Sequence, residues 1–146
     1  MKQNRWLYFV LSMLTVWAFA SAPFRSSHAQ MTGVTPTVTS AGPVATLVVK
    51  TAPGSQLSVY ATNTTSTAGF LVGYNAVAAP ADGSLNAALV LECVPLQATP
   101  GFASINDQPG PPTNYTVGIT YILTSGASCY TKTTGSLVGF IKAKFN

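Results

Sequence analysis

Histidine, arginine and tryptophan are almost missing from this sequence. Its one histidine, His28, lies in the first 29 positions, as do both tryptophans (Trp6, Trp17) and both arginines (Arg5, Arg25). From residue 30 onward the charged residues are Lys50, Lys132, Lys142 and Lys144 against Asp82, Glu92 and Asp107, a net charge of +1. The whole-chain charge of +4 and the sequence pI near 9.3 therefore belong to the N-terminal segment. Each shortage excludes a class of chemistry. Without histidine, neither a Ser-His-Asp nor a Cys-His arrangement can be built. Two cysteines without histidine cannot complete a tetrahedral zinc site, and no C-x-x-C redox motif is present. Four lysines without arginine leave no nucleic-acid footprint. No metal or other cofactor is expected. Helix formers are also scarce, and helical spacing of apolar residues never runs for a dozen positions without a glycine or proline.

The first 29 residues read as a secretory signal peptide. Met1, Lys2 and Arg5 form a basic start, and residues 6–20 form an apolar run of 15. That run is shorter than the roughly 20 residues that span a bilayer. Small-x-small sites end at Ala20 and Ala29, and cleavage between Ala29 and Gln30 is favoured because residues 23–28 look like spacer. An uncleaved anchor is the alternative. The expected product is secreted or periplasmic, with no membrane span after cleavage. An extended polar arm (30–43) then precedes the domain proper (44–146).

Threonine, valine, isoleucine and tyrosine dominate that domain, with glycine and proline spread between, which favours an all-β chain. Strand candidates fall at 44–50, 57–62, 69–75, 85–93, 101–105, 115–123 and 136–145. Pro53-Gly54 suggests a type II turn, and Asp82-Gly83 is a strong turn signal. The 115–123 segment alternates most clearly, with Tyr115, Val117, Ile119, Tyr121 and Leu123 on one face. Its other face (Thr116, Gly118, Thr120) is expected to be solvated or covered by a partner. The expected fold is a β-sandwich or jelly-roll of about six to eight short antiparallel strands.

Cys93 and Cys129 form an even pair in an exported chain, which favours a disulfide over two buried thiols. Closing a loop of about 37 residues stabilises a fold by about 3–4 kcal/mol in the chain-entropy model. Catalytic residues are not expected. Asp82 reads as a turn carboxylate capping nearby N–H groups, Asp107 as another turn residue, and Glu92 as a partner for a lysine across the sheet. A weak hydrolase using Glu92 or Asp107 is the outlying alternative. Asn63-Thr64-Thr65 and Asn114-Tyr115-Thr116 fit the N-glycosylation pattern. Lys142 and Lys144 alternate with apolar residues near the C-terminus, where lysine guards exposed edge strands against pairing; an anion-contacting stripe is the alternative. Tyr60, Tyr74 and Tyr130 are the candidate ligand contacts.

The stretch 68–75 (AGFLVGYN), the turn 79–83 (APADG), and the segments 115–119 (YTVGI) and 130–134 (YTKTT) resemble small β-sandwich proteins encoded in bacteriophage-like gene clusters. The resemblance spans about residues 44–143. It implies a virion-type or surface structural subunit that self-associates, with no catalytic residues to carry over; an export leader departs from that pattern. The expected function is an exported, non-catalytic structural or adhesive subunit, self-associating or bound to a cell-surface partner. The alternative is a monomeric binding module for carbohydrate or another neutral surface ligand.

Overall fold

Period-two alternation of apolar with small or polar residues builds two antiparallel sheets that share one interior. The computed structural model describes residues 35–106, 110–133 and 137–146. The segment read as a signal peptide (1–29), the start of the arm and Asp107 lie outside the described residues. In chain order the elements are β1 (Thr37–Thr39), β2 (Thr46–Lys50), β3 (Gly54–Asn63), β4 (Gly69–Asn75), β5 (Gly83–Ser84), a one-turn 3-10 helix (Ala87–Leu89) and β6 (Val90–Leu96). They continue with β7 (Gly101–Asn106), β8 (Asn114–Tyr115), β9 (Ile119–Thr124), β10 (Thr131–Lys132) and β11 (Gly139–Phe145). The front sheet runs β1-β11-β3-β7, with β8 added to β3, and the back sheet runs β2-β9-β4-β6. All pairings are antiparallel. The chain is thus an all-β sandwich, with eight strands in its two main paths. Among the described residues no helix is long and apolar enough to cross a membrane.

The interior joins a flat inner face to a bulky one. The front sheet contributes Val59, Ala61, Ala103, Ile141 and Ala143, whereas the back sheet contributes Leu71, Leu96, Ile119, Tyr121 and Leu123. Alanine on one side faces leucine, isoleucine and tyrosine on the other, so small and large residues meet across the space between the sheets. Leu137, just before β11, is fully buried in the same cluster.

The back sheet is buried on its outer side as well. Val72, Tyr74 and Ile122 point away from the sandwich interior and pack with Leu85 into a second apolar cluster. Their cover is made of two segments, 76–89 and 125–133, joined where β5 pairs with β10. Gly83 supplies the turn with φ +117°, a left-handed conformation that a side chain would strain. Leu85 N–H donates to the Tyr130 carbonyl at 2.7 Å. Lys132 Nζ lies 3.3 Å from the Asp82 carboxylate and donates to the Pro80 carbonyl at 2.6 Å. The Cys93–Cys129 disulfide, with Cα atoms 6.0 Å apart, ties this cover to β6.

Several local expectations change for identifiable reasons. The 115–123 segment is two strands, because Asn75 seizes the chain between them. Its Oδ1 accepts from Val117 N–H at 2.8 Å and its Nδ2 donates to Thr116 Oγ1 at 2.9 Å, so the chain crosses from front to back sheet there. Strand β9 is consequently buried on both faces. Thr120 and Thr124 satisfy their hydroxyls on the Ala76 and Thr131 carbonyls, at 2.7 and 2.8 Å. Residues 85–93 are not one strand, since Asn86 caps the 3-10 turn before β6 begins. Pro95 sits within β6 because that strand is an edge and can forgo one donor. Pro53-Gly54 makes no type II turn: Gly54 opens β3, and Gly83 is the positive-φ glycine among the described residues.

The arm is extended, as expected, but its residues 37–39 pair with β11 of the same chain. Strand β11 therefore lies between β1 and β3, and Lys142 and Lys144 do not guard a free edge. Ser40 locks the arm further, with its Oγ accepting from Ile141 N–H at 3.1 Å.

The disulfide spans 36 residues, and replacing it through Cys93→Ser/Cys129→Ser is expected to lower folding stability by about 3–4 kcal/mol in urea titration. Hydrogen exchange should show 76–89 and 125–133 opening ahead of the two sheets. Unchanged protection of those segments would contradict the role of the disulfide as the tie holding the cover.

Candidate functional site

Among the described residues, the cover lies over the middle of the back sheet's outer side, and no segment lies over the outer face of the front sheet. Register fixes what stands on it. In one row Phe140, Thr62 and Phe102 lie side by side on β11, β3 and β7. The next row holds Lys142, Tyr60 and Ser104, and beyond it Lys144 lies beside Ser58. Thr37 and Thr39 of β1 flank the two lysines. These positions alternate with the buried Val59, Ala61, Ile141 and Ala143, so the pleat that fills the core also aims these side chains outward.

This face is unusually aromatic for an exposed one. Phe102 is 64% exposed, Tyr60 45% and Phe140 43%. Tyr60 and Phe102 are near-parallel, at 22°, with ring centroids 6.1 Å apart, an offset arrangement. A shallow groove of about 500 Å³ runs over Tyr60, Phe102 and Phe140 and is rimmed by Thr64 and Pro100. A second groove, of about 510 Å³, runs over Tyr60, Ser58, Ser104, Lys142 and Lys144. Tyr60 belongs to both, so aromatic and cationic grooves meet at that ring. Lys142 and Lys144 have no salt-bridge partner among the described residues, whereas Lys132 pairs with Asp82. Lys50 donates to the Asn146 carbonyl at 2.9 Å and stands 5.9 Å from the Phe145 ring centroid.

The three tyrosines singled out from the sequence are dispersed. Tyr60 stands at the centre of the open face. Tyr74 is 6% exposed, buried beneath the cover on the back sheet, and cannot contact a ligand. Tyr130 is exposed, but it belongs to the cover on the opposite side of the sandwich. Phe102 was missed although its parity is readable: in Gly-Phe-Ala-Ser-Ile-Asn it alternates with Ala103 and Ile105, which face inward. Of the two glycosylation sequons, Asn63 is buried, donating to the Thr67 and Gln97 carbonyls at 2.7 and 2.8 Å. A glycan cannot be carried there in the folded chain. Asn114 is exposed.

A polar cluster lies inside the sandwich and takes up Glu92. Tyr115 donates its hydroxyl proton to Glu92 Oε2 at 2.7 Å, and its oxygen lies 3.4 Å from Gln56 Oε1. The Tyr121 hydroxyl donates to the same Gln56 oxygen. The two tyrosine rings meet edge to face at 68°, with centroids 6.5 Å apart. Gly73, opposite Glu92 on β4, leaves room for the Tyr115 hydroxyl, which a Cβ would strike. The partner the structure gives Glu92 is therefore a buried phenol that crosses between the sheets. Burial first, then the neighbouring Tyr121 and Glu92, push the Tyr115 pKa far above its ordinary value of 10.0. Tyr115, Tyr121 and Gln56 are each at most 1% exposed, so a substrate does not reach them. Among the described residues no group of three or more His, Cys, Asp or Glu could hold a metal ion.

Compared with protein-family models, curated proteins and solved structures, the chain has no match.

Tyr115 gives stability a defined alkaline limit. Above pH 10 the unfolded chain releases this proton while the folded chain keeps it. Folding stability should be unaffected by this group below that pH and fall above it, by up to about 1.4 kcal/mol per pH unit. Urea titrations at increasing pH check this. Tyr115→Phe is expected to be less stable at neutral pH by about 1–3 kcal/mol and to lose its share of the alkaline slope. An unchanged slope in that variant would contradict the assignment.

Proposed function

We propose that this chain is an exported, non-catalytic adhesive β-sandwich that binds surface ligands through the open face of its front sheet. One observation carries the reading: Tyr60, Phe102 and Phe140 share the single sheet face that neither the other sheet nor the cover occupies. Three large aromatic side chains left in water on a small domain mark an interaction surface. The rigid two-layer frame holds them in place before any ligand arrives, which lowers the entropic cost of binding. Export to an oxidising compartment belongs to the same reading and is supported by the Cys93–Cys129 disulfide. A non-catalytic role is supported by the placement of the carboxylates, with Glu92 held by Tyr115 and Asp82 by Lys132.

Self-association is the second reading, and β7 favours it. This six-residue strand ends the front sheet and has neither charge nor proline, the devices that usually keep an edge from pairing. A strand of a second copy could extend the sheet there. A structural subunit of the kind implied by the resemblance to small β-sandwich proteins of bacteriophage-like gene clusters would use such an edge.

Retention of fluorescently labelled protein on envelopes of its host tests the first reading. Tyr60→Ala/Phe102→Ala should reduce retention at least about tenfold, while changing stability by only about 0.5 kcal/mol per exposed site. Undiminished retention by the double variant would overturn the proposal. Native mass spectrometry decides the second reading: Ser104→Pro, which bars pairing at β7, should turn an oligomer into a monomer.

A further inference from the structure

Resting on the adhesive reading, we infer that the open face takes an acidic polysaccharide, stacking a sugar ring on Tyr60 and Phe102 and pairing its carboxylate or sulfate groups with Lys142 and Lys144.

The two grooves that meet at Tyr60 form one track along β3. From the Thr62 row to the Ser58 row it covers four residues of strand, about 14 Å at the usual rise. That length suits an extended chain of several units better than a single small molecule. At one end the track is aromatic, with Phe102, Phe140 and Tyr60 offering flat apolar surface. The apolar face of a pyranose ring matches such a surface, as aromatic rings lose little conformational freedom when they are covered. At the other end Lys142 and Lys144 stand two residues apart on β11, about 7 Å along the strand. They point the same way and carry no carboxylate partner among the described residues. Thr62, Ser104 and Ser58 place one hydroxyl group in each of the three rows, where it can donate to and accept from sugar hydroxyls.

Charge selects among the polymers that could lie here. A neutral glycan would use the aromatic end and leave two ammonium groups idle. A peptide laid across this face would need backbone partners, and β11 and β3 beneath it already use theirs in the sheet. Single-stranded nucleic acid shares the pattern of aromatic rings beside cations. It is disfavoured because its phosphates need a tracking row of cations, whereas only two lysines stand here and no arginine follows residue 29. An acidic polysaccharide with spaced charges fits both the stacking surface and the small number of lysines.

The test uses the full chain as exported by its host, titrated with polygalacturonate oligomers and with the same oligomers after carboxyl reduction. The acidic form is expected to bind about tenfold more tightly, the effect of two exposed charge pairs. Added salt should erase the difference, and Lys142→Gln/Lys144→Gln should bring the acidic oligomer down to the affinity of the reduced one. Far-UV circular dichroism checks that this exposed double variant stays folded. Equal affinity for the two oligomers, no binding of either, or tighter binding of oligothymidylate than of the acidic oligomer would each overturn the inference. Any of these outcomes, together with envelope retention that still depends on Tyr60 and Phe102, removes the acidic ligand and keeps the adhesive reading. Retention that ignores Tyr60 and Phe102 removes both.

Discussion

The middle of the back sheet, β9 and β4, has no face that can be left in water, and the rest of the molecule is arranged around that constraint. Strand β9 is buried at every position, and β4 is buried along most of its length. One side of this sheet meets the front sheet. The other must be covered by the chain itself, which is why segments 76–89 and 125–133 fold back over Val72, Tyr74 and Ile122. These segments contain little regular structure and would hold poorly through packing alone. The Cys93–Cys129 disulfide, the Lys132–Asp82 pair and the β5–β10 bridge fasten them. Among the described residues, the long connections 76–89 and 125–133 lie over the back sheet, and no segment lies over the outer face of the front sheet.

A chain with so few charges still has to satisfy polar groups inside, and it does so with amides and hydroxyls. Asn63 and Asn75 act as joints between loops and strands. Asn63 Oδ1 accepts from Thr65 N–H and Oγ1, both at 2.8 Å, while its amide reaches the Thr67 and Gln97 carbonyls. Thr99, beside the cis Thr99–Pro100 bond, returns a hydrogen bond to the Asn63 carbonyl at 2.6 Å. In the sandwich interior Gln56, Tyr115 and Tyr121 tie β3, β8 and β9 together, and Glu92 brings in β6. Gln56 Nε2 is the one buried side-chain atom among the described residues without a hydrogen-bond partner. Neutral groups cost less to bury than charges, so a core can hold such joints where it could not hold unpaired ions. Lys142 and Lys144, which have no salt-bridge partner among the described residues, stand on the open face, where water can solvate them.

The front sheet combines a finished inner face with an unfinished outer one. Small residues inside let the sheets approach, and large aromatic ones outside have no layer above them. A flat, rigid surface with aromatic rings at one end and ammonium groups at the other is suited to an extended polymer. The weakly guarded β7 edge borders the same surface, so adhesion and assembly through an added strand would be neighbours on the molecule. The two proposals therefore place ligand and partner on one side of the sandwich, away from the disulfide-bound cover.

All-β composition, five of the seven strand segments, the Asp-Gly turn and the Cys93–Cys129 pair were legible in the residues, because each rests on local chemistry: period-two alternation, turn propensity and an even cysteine count. Local alternation does not say what lies above a face. It marked Thr116, Gly118 and Thr120 as a face awaiting a solvent or partner, and the cover of the same chain took that place for Thr120. It marked Lys142 and Lys144 as edge residues, until residues 37–39 claimed the edge from far away in sequence. It offered three tyrosines as equals, and packing buried Tyr74, put Tyr130 on the opposite side and left Tyr60 beside Phe102 and Phe140. Period and turn chemistry are carried by neighbouring residues and so can be read along a line. Which face stays open depends on contacts between segments a hundred residues apart, and those exist only once the chain has folded.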